Sequence, residues 1–116
     1  QTEWRPDYYI AIDSEAVLGD GFPIEKRSKK AQFIGDTSWH LQEDSIGNAY
    51  KWHIYYDWDD SRLPYFSNDF SRGSYWGTTI TYSALELAVY MGFSEIYLLG
   101  VDCKQYDIES TFCKGL

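Results

Sequence analysis

Two acidic residues and a run of hydroxyls have the types and spacing to handle a polar ligand. Gly77-Thr78-Thr79-Ile80-Thr81 joins a glycine and three threonines to the start of a helical pattern. Backbone N–H groups at a helix start lack intrahelical partners and carry the positive end of the dipole. Such a segment can hold a phosphate without a cationic side chain. No Gly-Lys-Ser/Thr follows, so it is not a P-loop. Plain capping is the competing reading of the same hydroxyls. Asp13 and Asp102 each close an apolar run. An ionised carboxylate only accepts hydrogen bonds, which suits ribose or sugar hydroxyls and repels phosphate.

Other constellations carry weaker chemistry. Asp57-Trp58-Asp59-Asp60 has the Asp-x-Asp form that can hold a hard divalent cation, but the pattern also describes a solvated acidic turn. No set of ligands has metal-site spacing, so no metal is assigned. His40 and His53 are the only side chains suited to acid–base work near neutrality. Neither has a recognisable partner in the sequence; His53 reads as half-buried and structural, His40 as surface. Tyr55-Tyr56, Trp58, Tyr65-Phe66 and Tyr75-Trp76 could line a sugar site or pack a core. Cys103 and Cys113 read as free thiols, with a bridge closing the tail as the alternative. No catalytic residue is assigned.

The elements that must position these residues follow from periodicity. Tyr8-Tyr9-Ile10-Ala11-Ile12 is a continuous apolar run, expected as a strand buried on both faces and ending at Asp13. A short helical turn is expected over Glu15 to Leu18, and a second strand over Ala31 to Ile34. Lys26-Arg27-Lys29-Lys30 reads as a solvated loop. Alternation from Tyr50 to Trp58 predicts one strand with a wetter face. Pro64 to Trp76 reads as loop with room for a short strand. Ile80, Ala84, Leu87, Ala88 and Met91 share one helical face, and Tyr82, Leu85 and Val89 make a second. Glu86 is the only charge between Thr78 and Phe93, so the helix is predicted to be buried on most sides. Thr78 or Thr79 can cap it and Gly92 can end it. Glu95 to Val101 is predicted as a buried strand parallel to Tyr8–Ile12. Strand, helix and strand with short links imply a right-handed crossover and a mainly parallel sheet. Ligands of such a sheet bind beyond its strands' carboxyl ends, where Asp13 and Asp102 stand.

The composition sets bounds on function. The chain has 116 residues and 44% apolar content, enough for a single domain with a core. The formal charge of −8 argues against nucleic acid and anionic membranes. No stretch approaches the roughly eighteen apolar residues of a membrane span, and no signal-peptide pattern opens the chain; a cytoplasmic location is expected. Gln1 rather than Met opens the sequence, which reads as a piece of a longer protein.

The stretch Gly77-Thr78-Thr79-Ile80-Thr81-Tyr82-Ser83-Ala84-Leu85-Glu86-Leu87-Ala88-Val89-Tyr90-Met91-Gly92-Phe93-Ser94-Glu95-Ile96-Tyr97-Leu98-Leu99-Gly100-Val101-Asp102 resembles the core of the bacterial DUF115 family. That family is also described as similar to archaeal 6-hydroxymethylpterin diphosphokinase. Trp4 to Asp13 looks like its upstream strand. More distantly, the pattern is similar to the bacterial family 42 sialyltransferases, which use CMP-sialic acid. The likeness covers about a quarter of the chain closely. It implies nucleotide contacts from the loop before the helix, where Thr79 keeps the family's Thr while Ile80 and Thr81 depart from its Ser-Gly. Asp13 stands in place of a family Asn, and Tyr106 follows Asp102 where the family often has an aromatic. The family's Gly-rich turn would lie before Gln1, and the sialyltransferase catalytic His beyond Leu116.

The expected fold class is therefore α/β, Rossmann-like and three-layered on a mainly parallel sheet, as one partial domain over residues 1–116. The expected function is nucleotide or nucleotide-sugar binding of glycosyltransferase type, in surface-polysaccharide or flagellin glycosylation. The expected site is Asp13, Gly77, Thr78, Thr79, Thr81, Asp102 and Tyr106. The ligand is expected to be a CMP-sugar type substrate rather than a resident cofactor. One alternative is pyrophosphate transfer from ATP in the manner of a pterin diphosphokinase, which would require magnesium. Another is a non-catalytic α/β module serving in assembly.

Overall fold

The computed structural model describes residues 3–13, 17, 19, 21–36, 46–56, 65–77 and 79–101. The apolar run at the start forms strand β1 (Tyr8–Ala11). It pairs in parallel with β2 (Ala31–Gly35), which pairs in parallel with β3 (Tyr50–Trp52), giving the order β1-β2-β3. Tyr8 stands opposite Ala31 and Ala11 opposite Ile34; on the other side Phe33 meets Tyr50 and Gly35 meets Trp52. Parallel neighbours need a crossover rather than a hairpin. Between β1 and β2 that crossover includes the helical residue Val17, whose N–H donates to Asp13 O at 3.1 Å, and a 3-10 turn, Ile24–Lys26. A second parallel pair joins β4 (Ile54–Tyr55) to β5 (Ser74–Tyr75). Helix α1 (Ile80–Tyr90) follows.

Successive strand side chains point to opposite faces, and the core divides accordingly. Ala11 and Ile34 join Val17, Ile24 and Ile46 in one buried cluster. Their neighbours Ile10 and Phe33 pack instead on a second cluster, built from Trp52, Ile54, Phe70 and Leu87. The three-stranded sheet is thus covered on both faces, by the crossover on one and by α1 on the other. The fold is a mixed α/β arrangement with parallel sheets, as the sequence predicted at that level.

Four local expectations need correction. The alternating run from Tyr50 does not make one strand: it breaks at His53, and its halves belong to different sheets. The break is held by Asp36, whose carboxylate binds both the His53 ring and the Ile54 N–H, the latter at 3.1 Å. Trp58 and its neighbours lie outside the described residues.

Helix α1 is not buried on most sides. Its buried residues are Ser83, Glu86 and Leu87, while Val89 and Tyr90 are exposed. The single charge sits on the buried face because the 65–76 segment offers it hydrogen-bond donors there. The helix ends as expected, with Met91 as C-cap and Gly92 at φ +83°.

Glu95–Val101 forms no strand and is exposed; Leu99 is 92% accessible. An apolar run favours burial, but a strand also needs an edge to pair with, and here the segment pairs with none of the described strands. Nor is the basic stretch simply solvated. Arg27 donates to Val17 O and Phe22 O and lies over the Tyr9 ring at 5.3 Å, while Lys30 pairs with Asp7 at 3.7 Å.

Candidate functional site

Of the residues expected to form the site, Asp13, Gly77, Thr79 and Thr81 are described; Thr78, Asp102 and Tyr106 lie outside the described residues, as do His40, Asp57–Asp60, Cys103 and Cys113. Thr79 is the N-cap of α1 in extended backbone (φ −149°, ψ 145°), and its hydroxyl oxygen accepts from Thr81 N at 3.2 Å. The capping reading of this hydroxyl is therefore realised, and it occupies one of the helix's free N–H groups. Gly77 has a packing reason to be glycine. A Cβ there would fall 2.1 Å from Tyr82 Cγ, so the Tyr82 ring lies against bare backbone.

Around this helix start lies a cleft of about 520 Å³, lined by Thr79, Thr81, Tyr82 and Leu85 on one side and by Leu98, Gly100 and Val101 on the other. The start of α1 and the segment Leu98–Val101 thus share one concavity, and Gly77 is not part of its lining. Asp13 is exposed at the carboxyl end of β1 and is not part of this lining. The walls are chiefly apolar, which suits the flat face of a base or sugar more than a bare anion.

The buried face of α1 carries Glu86, which has no exposed surface. Its carboxylate accepts from Ser67 N at 2.6 Å and from Tyr75 N at 3.1 Å, and from the Ser74 hydroxyl. Ser74 Oγ also accepts from Trp52 Nε1 at 2.9 Å and lies within hydrogen-bond reach of Ser83 Oγ at 3.2 Å. Burial pushes the Glu86 carboxyl above the ordinary glutamate value, against the lowering effect of the Ser67 and Tyr75 amides and the Ser74 hydroxyl. Burial, and after it the Glu86 charge, also raises the Tyr82 phenol, which donates to Tyr65 O at 3.1 Å.

Sequence reasoning missed one pairing. Asp36 follows β2 and His53 follows β3, so the parallel register brings both to the carboxyl edge of the sheet, where Asp13 also stands. With the neutral ring's Nδ1–H donating to Asp36 Oδ2, Nε2 keeps its lone pair free to take a proton. His53 is exposed and Asp36 half-buried, so the anion is sheltered and the ring is reachable. The residues are 17 positions apart; only the expectation of parallel strands ending at these residues could have linked them.

Among the described residues, no group of three or more His, Cys, Asp or Glu side chains is placed to hold a metal. No helix among them is long and apolar enough to cross a membrane. No family model matches the chain, and neither a curated protein nor a solved structure matches it.

Proposed function

We propose that the chain is a nucleotide- or nucleotide-sugar-binding domain of glycosyltransferase type, working in the cytoplasm in surface-polysaccharide or flagellin glycosylation. The observation that carries the reading is the cleft of about 520 Å³ between the start of α1 and Leu98–Val101. Its volume falls in the range of roughly 300–1,000 Å³ typical of small-molecule sites. Its apolar walls suit a base, and Thr81 with the helix N-terminus offers polar contacts at one end. Asp102, next in sequence to Val101, would accept hydrogen bonds from ribose or sugar hydroxyls, with Thr78 and Tyr106 as further contacts. Asp13, Asp36 and His53 supply acceptors and an acid–base pair at the carboxyl edge of the sheet, where parallel sheets bind their ligands. The reading includes a Rossmann-like three-layer arrangement, supported by a parallel sheet with both faces covered.

The test is titration of the isotope-labelled chain with CMP, UDP and ATP, the last with and without magnesium, followed by amide shifts. Shifts at Gly77, Thr79–Tyr82 and Leu98–Val101 are expected, strongest with CMP. Shifts confined to Asp57–Asp60, or none with any nucleotide, would overturn the reading. A response to ATP alone, dependent on magnesium, would favour pyrophosphate transfer instead.

A further inference from the structure

A second concavity, of about 390 Å³, lies between the rings of Tyr55, Phe66 and Tyr75 and the loop residues Asn68, Asp69 and Arg72. Its backbone is held in place from several sides. Glu86 binds Ser67 N, Arg72 N donates to Asp69 O at 3.1 Å, and the Tyr55 hydroxyl donates to Arg72 O. Gly73 sits at φ +140°, and a Cβ there would fall 2.6 Å from Tyr55 Cε2, so the Tyr55 ring rests directly on the loop. Asp69 Oδ1 is taken up by the amide and hydroxyl of Ser71.

The remaining polar groups of this loop are unengaged. Among the described residues, the Arg72 guanidinium and the Asn68 amide make no hydrogen bond or ion pair, and neither does Asp69 Oδ2. A planar guanidinium matches a carboxylate with two parallel hydrogen bonds. An amide both donates and accepts, and a carboxylate oxygen accepts only, which is the complement of a set of hydroxyls. The Tyr55 and Tyr75 rings, 5.3 Å apart and tilted by 43°, offer an apolar wall. One anionic group, several hydroxyls and an apolar C–H face together describe a carboxylated sugar. A phosphate dianion fits worse than a singly charged carboxylate, because the Asp69 carboxylate lines the same cleft and the whole chain carries −8.

We propose that this cleft binds a carboxylated hexose of uronic-acid type, with Arg72 on the carboxylate, Asn68 and Asp69 on the hydroxyls and the tyrosine rings against the sugar's C–H face. The proposal does not rest on the nucleotide reading, since this cleft shares no lining residue with the one at the start of α1.

The experiment is an amide-shift titration of the full chain with sodium glucuronate, glucose and sodium acetate, repeated on Arg72→Gln. Glucuronate should shift Ser67–Gly73 and Tyr75 and bind about tenfold or more tighter than glucose or acetate. Arg72→Gln should lose about tenfold in glucuronate affinity, as removal of a charge-assisted pair does, with the rest of the spectrum unchanged. Equal binding of glucose would remove the role of Arg72, and equal binding of acetate would reduce the cleft to an anion spot; either result overturns the proposal. So does the absence of shifts in this loop. Because no nucleotide is present, these outcomes are independent of whether CMP binds elsewhere.

Discussion

Replacing Glu86 separates the two forces acting on it. The carboxylate is buried and accepts from two backbone amides, Ser67 N and Tyr75 N. In Glu86→Ala both donors lose their acceptor. At about 1–3 kcal/mol for each unsatisfied buried donor, the loss is about 2–6 kcal/mol, a large part of the stability of a small domain. Glu86→Gln is the finer probe. One amide oxygen still reaches both N–H groups, and the NH₂ can donate to Ser74 Oγ, so the network survives without its charge. The native carboxyl is raised because burial outweighs the hydrogen bonds. A group whose folded value is raised contributes stability that is fully present below its unfolded value, about 4.3 for glutamate, and lost as pH rises through the folded value. The native chain should therefore gain stability relative to Glu86→Gln as pH falls from 7 toward 4.5. Each tenfold difference in proton affinity between the folded and unfolded chain is worth about 1.4 kcal/mol. Urea unfolding followed by tryptophan fluorescence at several pH values, native against Gln, cancels every other carboxylate. If the difference instead moves against the native chain on acidification, the amides win over burial and the reasoning fails.

Three further outcomes are expected. Leu87→Ala, at the buried contact of α1 with the second cluster, should cost about 2–5 kcal/mol; an unchanged thermal melt would show the contact to be unimportant. Gly77→Ala should cost about 1–3 kcal/mol, because its Cβ would meet Tyr82 Cγ at 2.1 Å, and Tyr82 ring resonances should shift; a neutral variant would show that the loop moves freely. In Asp36→Asn the amide NH₂ faces His53 Nδ1, so the neutral ring should switch to the Nε2–H tautomer. Long-range ¹⁵N–¹H spectra of the imidazole measure this directly, and the same tautomer in both proteins would remove Asp36 as the orienting group.

How much of this was legible in the sequence depends on the length over which a pattern repeats. The apolar run of β1, the run of β2 and the three-turn period of α1 are each long enough to leave a signal, and the C-terminal Gly92 confirms where the last one stops. β4 and β5 are two residues each, too short to carry a period, and their parallel pairing rests on contacts about 20 positions apart. Glu86 shows how composition misleads. The scarcity of charge predicted a helix buried on most sides, yet the one charge lies on its buried face, because the donors that satisfy it come from Ser67 and Tyr75. Glu95–Val101 shows the opposite failure. Its residues are strand-like throughout, but no residue in it says which edge would receive it. For the site, the helix start and its cap were readable from Thr79. The Asp36–His53 pair was not, since it exists only once β2 and β3 lie side by side.

One helix links both candidate clefts. Along α1, Tyr82 and Leu85 line the cleft at its start, while Glu86, on a neighbouring face, anchors Ser67 and Tyr75 of the other. Phe66 and Tyr82 meet edge to face at 6.0 Å across the ridge between them. The two concavities share no lining residue, but α1 contributes to both: directly to the one at its start, and through the hydrogen bonds of Glu86 to the other. Buried polar networks are costly when any member is missing and rigid when all are paired. A lone carboxylate bonding the amides of Ser67 and Tyr75 fixes the backbone on either side of the loop that carries Asn68, Asp69 and Arg72. This accounts for a charge in a helix where hydrophobic residues would have packed more cheaply: an apolar residue at position 86 would leave Ser67 N and Tyr75 N without acceptors, and the side chains of the intervening loop without a fixed base.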